Sequence, residues 1–550
     1  MGTLFCIHCA KKDAALTALK TRSAALETEL EATKQQLDEM TKLCELQAGD
    51  IKRYKKLIDD KPDRNQPERV SEDQLQLAFE RIISGVTSPS AKEALESEIP
   101  TAANDDGAGK RKRRGGRRKL SFEGLPVVEQ RYVPPEVEAC GGDGWERIGE
   151  EVSERLGFRR AQFTCIRVIR ETWVKKPSGL SAANIATAPL PDWVWPRTMA
   201  DPSVIAEVIM GKYDYSIPLN RQERMTKGRG FVIPRSTQSD WLDASYGYLR
   251  HIVDAMRAET IARSQCIATD ATGAPVRAKG GCNRWHVFVF IGDIEHVTFN
   301  VSRSHTSKAI AQMLDGYGGA LLADASKIYE AMYRGGVVAV ACWAHLRRYF
   351  WKATLTEPMF ALEALALINR LFKIAQAAKS VPMPDRTQWR RDRAQPVLNV
   401  LDGWVERNRD KADERGKLSA ALTYYKNQRA ALHRFLDNGA LEIDNNASER
   451  ELRNLVLGRH NWKHFENKTG LRWYATFRSL IASAHVSGLN PHDYLEGVLR
   501  LVPHWPKRRV LELAPKYWRR TVEGLDDHHR AIIEPPWRRA TAPPGDYAAA

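Results

Sequence analysis

The sequence predicts a multidomain α+β protein, and three observations support this prediction. The chain has 550 residues, which is too long for one hydrophobic core and indicates about three to five structural units. A seven-residue periodicity near the start, β-type apolar runs in the middle and helical spacing further on follow one another along the chain. Hydrophobic residues make up 43% of the chain, which is enough to form several cores.

The composition favours a polyanionic partner. The 84 Lys and Arg residues against 68 Asp and Glu residues give a formal net charge of +16. Basic side chains that contact phosphates release the counterions condensed on a nucleic acid, which favours binding. We therefore expect a nucleic acid as partner. The chain contains no run of about eighteen apolar residues, so no membrane span is predicted. The first residues lack the pattern of a secretory signal. The eight scattered Cys indicate reduced thiols and a cytoplasmic location.

Residues 1–60 are predicted to form a coiled coil that pairs two copies of the chain. Apolar residues recur every seven positions through 12–58 without an intervening proline, as a coiled coil requires. Ser23, Thr33 and Gln47 interrupt the seam, so the pairing is expected to be modest. The alternative is a single amphipathic helix that lies on the rest of the protein. One seam position reads Leu16, Ser23, Leu30, Leu37, Cys44, Ile51 and Ile58.

Residues 61–124 are predicted to be a flexible basic linker or arm, polar apart from one short amphipathic stretch at 74–83. Eight of the ten residues in 110–119 are basic, and a segment so charged cannot be buried. Arms rich in Arg and Gly bind phosphates or enter a minor groove; the alternative is a solvated linker. The arginines expected to contact DNA are Arg111, Arg113, Arg114, Arg117 and Arg118.

Residues 125–200, rich in Pro and Trp, are predicted to form a small β-containing module. In 201–258, helical patterns cover Pro202–Tyr213 and Leu219–Lys227, and a third helix follows Pro234, with Ser236 or Thr237 as its N-cap. Three short helices with a sharp turn before a capped last one predict a helix-turn-helix-like DNA-binding region, with Arg235 as a DNA contact. Three helices packed without any DNA role fit the pattern equally well.

Residues 259–352 have the element order β-β-β-α-β-α-β-α. Three meandering strands followed by alternating helices and strands describe an RNase H-like α/β core. The first strand is predicted to end at Asp270 and the fourth at Asp324. In this fold the ends of these two strands are neighbours, so the two aspartates are expected side by side.

Such paired carboxylates predict a site for two divalent cations, Mg²⁺ or Mn²⁺. Crowded carboxylates repel each other and bind hard cations, and two ions about 3.5–4 Å apart can activate an attacking oxygen and stabilise a leaving one. A third carboxylate must come from a later helix, and Glu449 is the candidate. Ordinary structure explains the same residues: an Asp often follows a strand in a turn, and Asn446 with Glu449 fits a capping box.

Several motifs occur in a specific order: Pro234-Arg235-Ser236-Thr237, Ala268-Thr269-Asp270-Ala271-Thr272-Gly273, Ala323-Asp324, Cys342-Trp343-Ala344-His345-Leu346-Arg347-Arg348, Asp444-Asn445-Asn446-Ala447-Ser448-Glu449-Arg450 and Gly458-Arg459-His460-Asn461-Trp462. By these motifs the chain, over about 130–520, resembles the DDE transposases of the insertion-sequence-sixty-six type, specifically their large, TnpC-like subunit. The resemblance implies that Asp270, Asp324 and Glu449 are the catalytic and metal-binding triad. It also implies an all-helical insertion, 353–435, before the second part of the core, 436–500; a C-terminal basic tail, 501–550, follows.

Other side chains near these motifs are expected to support the site. Trp343 should pack in the core and His345 should orient a neighbour beside the acids. Arg450 and Arg453 are expected to contact phosphates, with ion pairs to Glu449 or Glu451 as the alternative. Further DNA contacts are expected from Arg459 and Lys463.

The chain departs from the family at two places. Asp270 survives, but Ala271–Pro275 replaces the residues that usually follow it. The family's upstream zinc module has two Cys pairs, whereas here only Cys140 stands near the first pair and residues 171–176 replace the second. Tetrahedral zinc needs about four ligands, so no zinc is expected.

The sequence therefore predicts a DNA transposase of an insertion sequence, with metal-dependent cleavage at the element ends and transfer of 3′-OH ends into target DNA. The expected partners are double-stranded DNA (terminal inverted repeats and target), a second copy of the chain through the coiled coil, and two small companion proteins of the same element. The expected location is the bacterial cytoplasm, in association with the nucleoid. Two alternatives stay open: an RNase H-like nuclease or resolvase, and a non-catalytic DNA-binding relic.

Overall fold

The protein is mixed α+β, mostly helical with a small mixed sheet. The computed structural model describes residues 70–86, 88–97, 99, 172–175, 184–187, 200–413 and 415–535, with isolated residues between 20 and 41 and between 163 and 198. No helix within these residues is long and apolar enough to cross a membrane.

The helices and strands of the described residues are numbered in chain order. The α-helices are α1 (Glu72–Ser84), α2 (Pro89–Glu96), α3 (Pro202–Tyr213), α4 (Leu219–Gly228), α5 (Arg235–Arg263), α6 (Ser307–Met313), α7 (Glu330–Arg334), α8 (Trp343–Ala353), α9 (Pro358–Ala378), α10 (Met383–Asn408), α11 (Lys417–His433), α12 (Asn446–Trp462), α13 (Lys468–Val486), α14 (Pro491–Leu501), α15 (Trp518–Glu523) and α16 (Asp527–Ile533). The strands are β1 (Thr172–Lys175), β2 (Asn184–Thr187), β3 (Cys266–Ala278), β4 (Gly281–Gly292), β5 (His296–Ser302), β6 (Ala320–Ala323) and β7 (Val338–Ala341).

The described residues divide into two compact units. The first contains those up to residue 100 and from 340 to 444, and the second contains 101–339 and 445–550. The second unit carries a five-stranded sheet in the order β5-β4-β3-β6-β7, and the boundary between the units falls inside β7. β1 and β2 pair antiparallel in the predicted β-containing module.

The predicted order of three meandering strands followed by alternating helices and strands is confirmed. β3 pairs antiparallel with β4 from Ile267 to Ala278, whereas it pairs parallel with β6 only from Cys266 to Ala268. The prediction that β3 ends at Asp270 is wrong, because the hairpin with β4 continues the strand for eight residues beyond it.

The sheet has an apolar core on each face because side chains alternate along its strands. Val287 and Val289 of β4 belong to the larger core, together with residues of α5, α12 and α13. Phe288 and Phe290 belong to the smaller core, together with residues of α6 and with Tyr329. The two faces of the sheet are therefore covered by different sets of helices.

The third helix of the predicted helix-turn-helix-like region is far longer than expected. α3 has the predicted bounds, but α5 spans 29 residues. Leu242, Leu249 and Met256 recur every seven residues and are fully buried, so α5 is a core helix. The predicted N-cap at Ser236 or Thr237 is wrong: the cap is Pro234, which forms no side-chain cap hydrogen bond.

In the first unit, Trp343 packs in the core as predicted. Its fully buried indole donates a hydrogen bond of 2.8 Å to the Leu432 carbonyl. The described part of 353–435 contains helices α9 to α11 and no strand, which agrees with a helical insertion. α1 packs against α9, where Lys373 lies 2.6 Å from Glu72. The predicted flexible linker, 61–124, is therefore folded where α1 and α2 lie.

The predicted basic tail is also folded over its described part. After α14, the chain continues through α15 and α16, and Leu513 and Trp518 are buried in the larger core of the second unit. Near the N-terminus, Leu30 and Leu37 of the predicted coiled-coil seam are helical, with 56% and 61% of their surface exposed. The other seam residues described there are Ser23 and Thr33. The basic run 110–119, with its five predicted DNA contacts, and Cys140 lie outside the described residues.

Candidate active site

Asp270 and Asp324 lie at matching positions on neighbouring parallel strands. The last registered pair of β3 and β6 is Ala268 with Leu322, and the same register continued by two residues aligns Asp270 with Asp324. Parallel strands are about 4.8 Å apart, and aligned residues project to the same face. The structure therefore brings these two predicted acids together at the end of β6.

Nearby backbone groups orient both carboxylates. Asp270 Oδ1 accepts a hydrogen bond of 2.7 Å from the N–H of Ala271, and Asp324 Oδ1 accepts one of 3.1 Å from the N–H of Ser326. Both side chains are half-buried. Two negative charges held this close at a partly exposed edge disfavour each other, and a cation between them would relieve that repulsion.

Glu449 lies in the first turn of α12, on the same face of the sheet as Asp270. Leu452 and Leu455 of α12 pack in the larger core with Val289, which is the cross-strand partner of Asp270. The N-cap is Asn445, without a side-chain cap hydrogen bond, so the capping box with Asn446 as N-cap is wrong. Glu449 is half-buried.

Asn445 fixes the start of α12 on the strand that carries Asp270. Its buried side-chain amide donates a hydrogen bond of 2.7 Å to the carbonyl of Thr269. Towards the other end of the helix, Arg459 donates to the carbonyl of Gly273, also on β3. Beyond the helix, Phe465 forms a parallel bridge with Val276. α12 is thus held along β3 at both ends.

An ion-pair network ties α12 to two further helices. Arg478 of α13 lies 2.8 Å from Glu451 and 2.6 Å from Asp214, which follows α3. These carboxylates raise the pKa of Arg478 in spite of its burial, and Arg478 and His485 lower the pKa of Asp214 against its own burial. Glu451 therefore pairs with Arg478 in this structure.

Tyr329 is a neighbour of the two aspartates that the sequence reasoning missed. Its side chain is almost fully buried, 1% exposed, and its hydroxyl faces the Thr269 side chain. Burial is the main cause that raises the pKa of Tyr329 far above its ordinary value, and the charges of Asp324 and Asp270 add to it. The hydroxyl therefore stays protonated at Thr269, within range of the charges of the two acids. A single Tyr after a short strand carries no motif that could have indicated this.

The remaining predicted site residues lie at several places. Arg459 is half-buried and held by the main chain, as described above. His345 lies in α8 of the first unit, together with the buried Trp343, whereas the three acids belong to the second unit. The predicted DNA contacts that are exposed in the second unit are Arg235, Arg450, Arg453 and Lys463.

The carboxylates of Asp270, Asp324 and Glu449 have the chemistry that a hard cation requires, but in this structure they do not form a complete metal site. Carboxylate oxygens are the ligands that Mg²⁺ prefers, and Asp270 and Asp324 present them in register. No group of three or more His, Cys, Asp or Glu within the described residues is arranged to hold a metal ion. Glu449 thus lies on the same face of the sheet as Asp270 without completing a three-ligand group.

The second unit therefore combines a helix-covered mixed sheet with paired acids at a strand end. Residues 197–472 match the model of the Transposase IS66 family, and the chain belongs to this family. The resemblance inferred from the motifs is thereby confirmed.

Relatives with similar sequences cover most of the chain. The chain is 24% identical to the uncharacterized protein y4hP of Sinorhizobium fredii, over 82% of this chain and 84% of that protein. It is 28% identical to the uncharacterized protein y4jD of the same organism, over 78% of this chain and 88% of that protein. A third, the uncharacterized protein y4qI, is 25% identical over 81% of this chain.

Proposed function

We propose that the protein is a DNA transposase that cuts at the ends of an insertion sequence and joins the freed 3′-OH ends to target DNA. The observation that carries this proposal is the register of β3 and β6, which aligns Asp270 with Asp324 beside the helix of Glu449. Membership of the IS66 transposase family supports it. The order of strands and helices also supports an RNase H-like core.

The three acids would hold two Mg²⁺ or Mn²⁺ ions. When bound, these ions would supply an activated attacking oxygen and stabilise the leaving oxygen, so no covalent enzyme intermediate is needed. Asp270 and Asp324 are the paired ligands, and Glu449 is the third. Binding of DNA and cations would bring the Glu449 carboxylate into the group.

The surrounding residues of the second unit position this group. Asn445 sets the first turn of α12 against β3, so the position of Glu449 depends on the strand that bears Asp270. The protonated hydroxyl of Tyr329, at the Thr269 side chain, adds no third negative charge to those of the two aspartates. Arg450 and Arg453 are exposed just beyond Glu449 and would contact the phosphates that flank the scissile bond.

The partners of the proposed transposase remain those expected from the sequence. Double-stranded DNA would be bound at its terminal repeats and at the target. A second copy would pair through the coiled coil, which agrees with the exposure of Leu30 and Leu37 in one chain. Two small companion proteins of the same element would take part in transposition. His345 would support the acid site, and no zinc would be bound.

The test is metal-dependent cleavage of a labelled duplex that carries the neighbouring terminal repeat. Wild type should nick at the repeat boundary with Mg²⁺ or Mn²⁺, and Glu449→Gln should remove the nicking while DNA binding persists. Glu466→Gln is the matched control, since this exposed glutamate lies in the same unit and its contacts, with Arg277 and with His464, are at the surface. Equal cutting by wild type and Glu449→Gln would exclude Glu449 from the reaction.

The same assay separates the two alternatives. Adding a second duplex tests strand transfer, and cutting without any joined product would favour a nuclease or resolvase. Binding without cutting by the wild type, with the companion proteins present, would favour a DNA-binding relic.

A further inference from the structure

Helix α4 carries a basic surface that the acid site does not use. Arg221, Arg224 and Lys227 are exposed and recur every three residues, which places them along one side of the helix. The helix contains a single acid, Glu223, which is half-buried. The exposed side of α4 is therefore strongly positive, as a surface that binds phosphates requires.

Helix α5 is a poorer candidate for DNA contact, although the pattern of three helices would make it the recognition helix. Its apolar side is buried in the core through Leu242 and Leu249. Its first turns expose Asp240 and Asp243, which would repel phosphates and outnumber the exposed Arg235 at the start of the helix. The charge distribution therefore assigns DNA contact in this region to α4.

A cavity of about 510 Å³ opens beside α4. Tyr215 and Met225 form an apolar wall, and their side chains are 58% and 42% exposed. Arg221 and Arg224 line the cavity together with the amide of Asn461. An exposed aromatic ring beside two guanidinium groups is the combination that binds a base and its phosphates in single-stranded nucleic acid.

The backbone beside Tyr215 holds an unusual conformation. Ser216 has a φ of +57°, which non-glycine residues rarely adopt, and its carbonyl accepts a hydrogen bond of 2.9 Å from Asn461 Nδ2. Arg221 donates to Asn461 Oδ1 at 3.4 Å. Backbone held in such a state often marks a ligand site, and here it fixes the loop from which Tyr215 projects.

The carboxylates nearest to Tyr215 do not cancel the positive charge. Asp214 is paired with Arg478 at 2.6 Å, and Glu207 lies 3.9 Å from Arg229. The arginines of α4 therefore remain the main charges that a DNA strand would meet.

The cavity is tied to the acid site through α12. Asn461 and Glu449 lie on this one helix, twelve residues apart, which corresponds to about 18 Å of helix length. In a duplex each strand advances about 3.4 Å per phosphate along the axis, so about 18 Å of α12 corresponds to roughly five nucleotides of paired DNA. This spacing suits a strand that is cut at the acids and held further along.

We propose that this cavity binds an unpaired nucleotide of the DNA strand near the element end. Tyr215 stacks on the base, and Arg221 and Arg224 contact the adjoining phosphates. This inference rests on the proposed function, because it identifies part of the DNA path of the transposase.

The experiment measures DNA binding by fluorescence anisotropy without divalent cations, so that no cutting occurs. Two labelled duplexes carry the same terminal repeat, one fully paired and one with three unpaired nucleotides centred about five nucleotides from the boundary. Wild type should bind the second about ten-fold more tightly, given the strength of stacking on one aromatic side chain. Tyr215→Ala should remove this preference, whereas Tyr215→Phe should keep it.

A second pair of variants tests the phosphates. Arg221→Ala with Arg224→Ala should weaken binding of both duplexes about ten-fold. Arg508→Ala with Arg520→Ala is the control, because it removes the same charge from two exposed arginines elsewhere in the unit. Equal weakening by both double variants would overturn the assignment of α4.

Failure of this inference can be distinguished from failure of the proposed function. A wild type that cuts the repeat but binds both duplexes equally, or a Tyr215→Ala variant that keeps the preference, would overturn the cavity assignment alone. A preference that depends on Tyr215 without any metal-dependent cutting would support the cavity and contradict the transposase reaction.

Discussion

The side-chain amide of Asn445 donates a hydrogen bond of 2.7 Å to the carbonyl oxygen of Thr269. Thr269 immediately precedes Asp270, and Asn445 is the N-cap of the helix that carries Glu449. One buried contact therefore joins the two segments that carry the first and third acids, although they are far apart in sequence. A change at Asn445 should thus act on the site through geometry and not through charge.

We expect Asn445→Ala to impair cleavage while DNA binding is retained. The Thr269 carbonyl would lose its partner in a buried position, at a cost of about 1–3 kcal/mol, and the first turn of α12 would shift. A displacement of about 1 Å at reacting groups can cost about 100-fold in rate. The half-maximal Mn²⁺ concentration for cutting should rise as well, which a loss of stability alone would not cause.

Asn454→Ala is the matched control for this prediction. Asn454 lies on the same helix, and its amide donates to the Asp214 carbonyl at 2.9 Å, away from the acids. Asn454→Ala should change cleavage and the half-maximal Mn²⁺ concentration less than Asn445→Ala does. If both variants changed them equally, the hydrogen bond to Thr269 would have no specific role.

The paired aspartates should make thermal stability depend on divalent cations. With metal removed by chelation, Asp324→Asn should raise Tm by about 2–4 °C, because it relieves repulsion of roughly 1 kcal/mol with Asp270. Added Mn²⁺ should raise the Tm of wild type but not of Asp324→Asn. Melting curves with and without Mn²⁺ test both points, with the exposed Asp315→Asn as control. An equal Mn²⁺ effect on Asp324→Asn and wild type would rule out a cation at the aspartate pair.

The sequence predicted the strands and acids of the sheet better than it predicted the bounds and contacts of helices. Apolar β-type runs, each followed by an acid, indicated β3 and β6, because such runs are local patterns. The neighbouring positions of Asp270 and Asp324 followed from the element order of the fold. The continuation of β3 beyond Asp270 depends on its partner β4, which no local pattern contains. Likewise, α5 runs on to Arg263 because a core covers Leu249 and Met256.

The supporting residues of the site could not be predicted for a similar reason. Tyr329 and Asn445 meet the strand of Asp270 only after the chain has folded, and neither lies at a spacing that indicates a function. Arg459 looked like a DNA contact because it is a cation in a motif, whereas in the structure its side chain binds the Gly273 carbonyl. Charge in a sequence does not tell whether a main-chain acceptor lies within reach.

Two serines of α13 should stabilise the edge strand β5. Ser483 Oγ accepts a hydrogen bond of 2.9 Å from the N–H of Val297 and donates one of 3.1 Å to its carbonyl. Ser479 Oγ accepts from the N–H of Phe299 at 2.8 Å. These hydroxyls satisfy backbone groups on the side of β5 that has no neighbouring strand within the described residues.

We expect Ser483→Ala to lower the free energy of unfolding of the second unit by about 1–3 kcal/mol, since two buried backbone groups lose their partner. Ser304→Ala, at an exposed site after β5, is the control. Urea unfolding followed by tryptophan fluorescence measures the difference. Equal midpoints for the two variants would show that β5 does not depend on this hydroxyl.

Acidification should destabilise the second unit through His296. This side chain is fully buried 2.8 Å from Glu259, whose carboxylate also accepts from Arg263 at 2.9 Å and from Tyr517 at 2.5 Å. Burial, the main cause, lowers the pKa of His296 below 6.5 although Glu259 opposes it. His296 is therefore neutral in the folded protein at neutral pH, and the unfolded chain binds the proton more readily.

The sign of the effect follows from this depressed pKa. Stability from a neutral His296 is fully present above about pH 6.5 and is lost as the pH falls through the lower pKa of the folded state. The pKa of Glu259 is also lowered from 4.5, by Tyr517 and His296 against its burial, so its contribution is lost at still lower pH.

Wild-type Tm should therefore fall between pH 7.5 and pH 5, and His296→Gln should flatten this part of the profile. Glutamine keeps a donor for Glu259 but cannot bind a proton in this range. His460→Gln, at an exposed position of α12, is the control and should follow wild type. If His296→Gln lost Tm on acidification as steeply as wild type, His296 would not be the group whose protonation destabilises the fold.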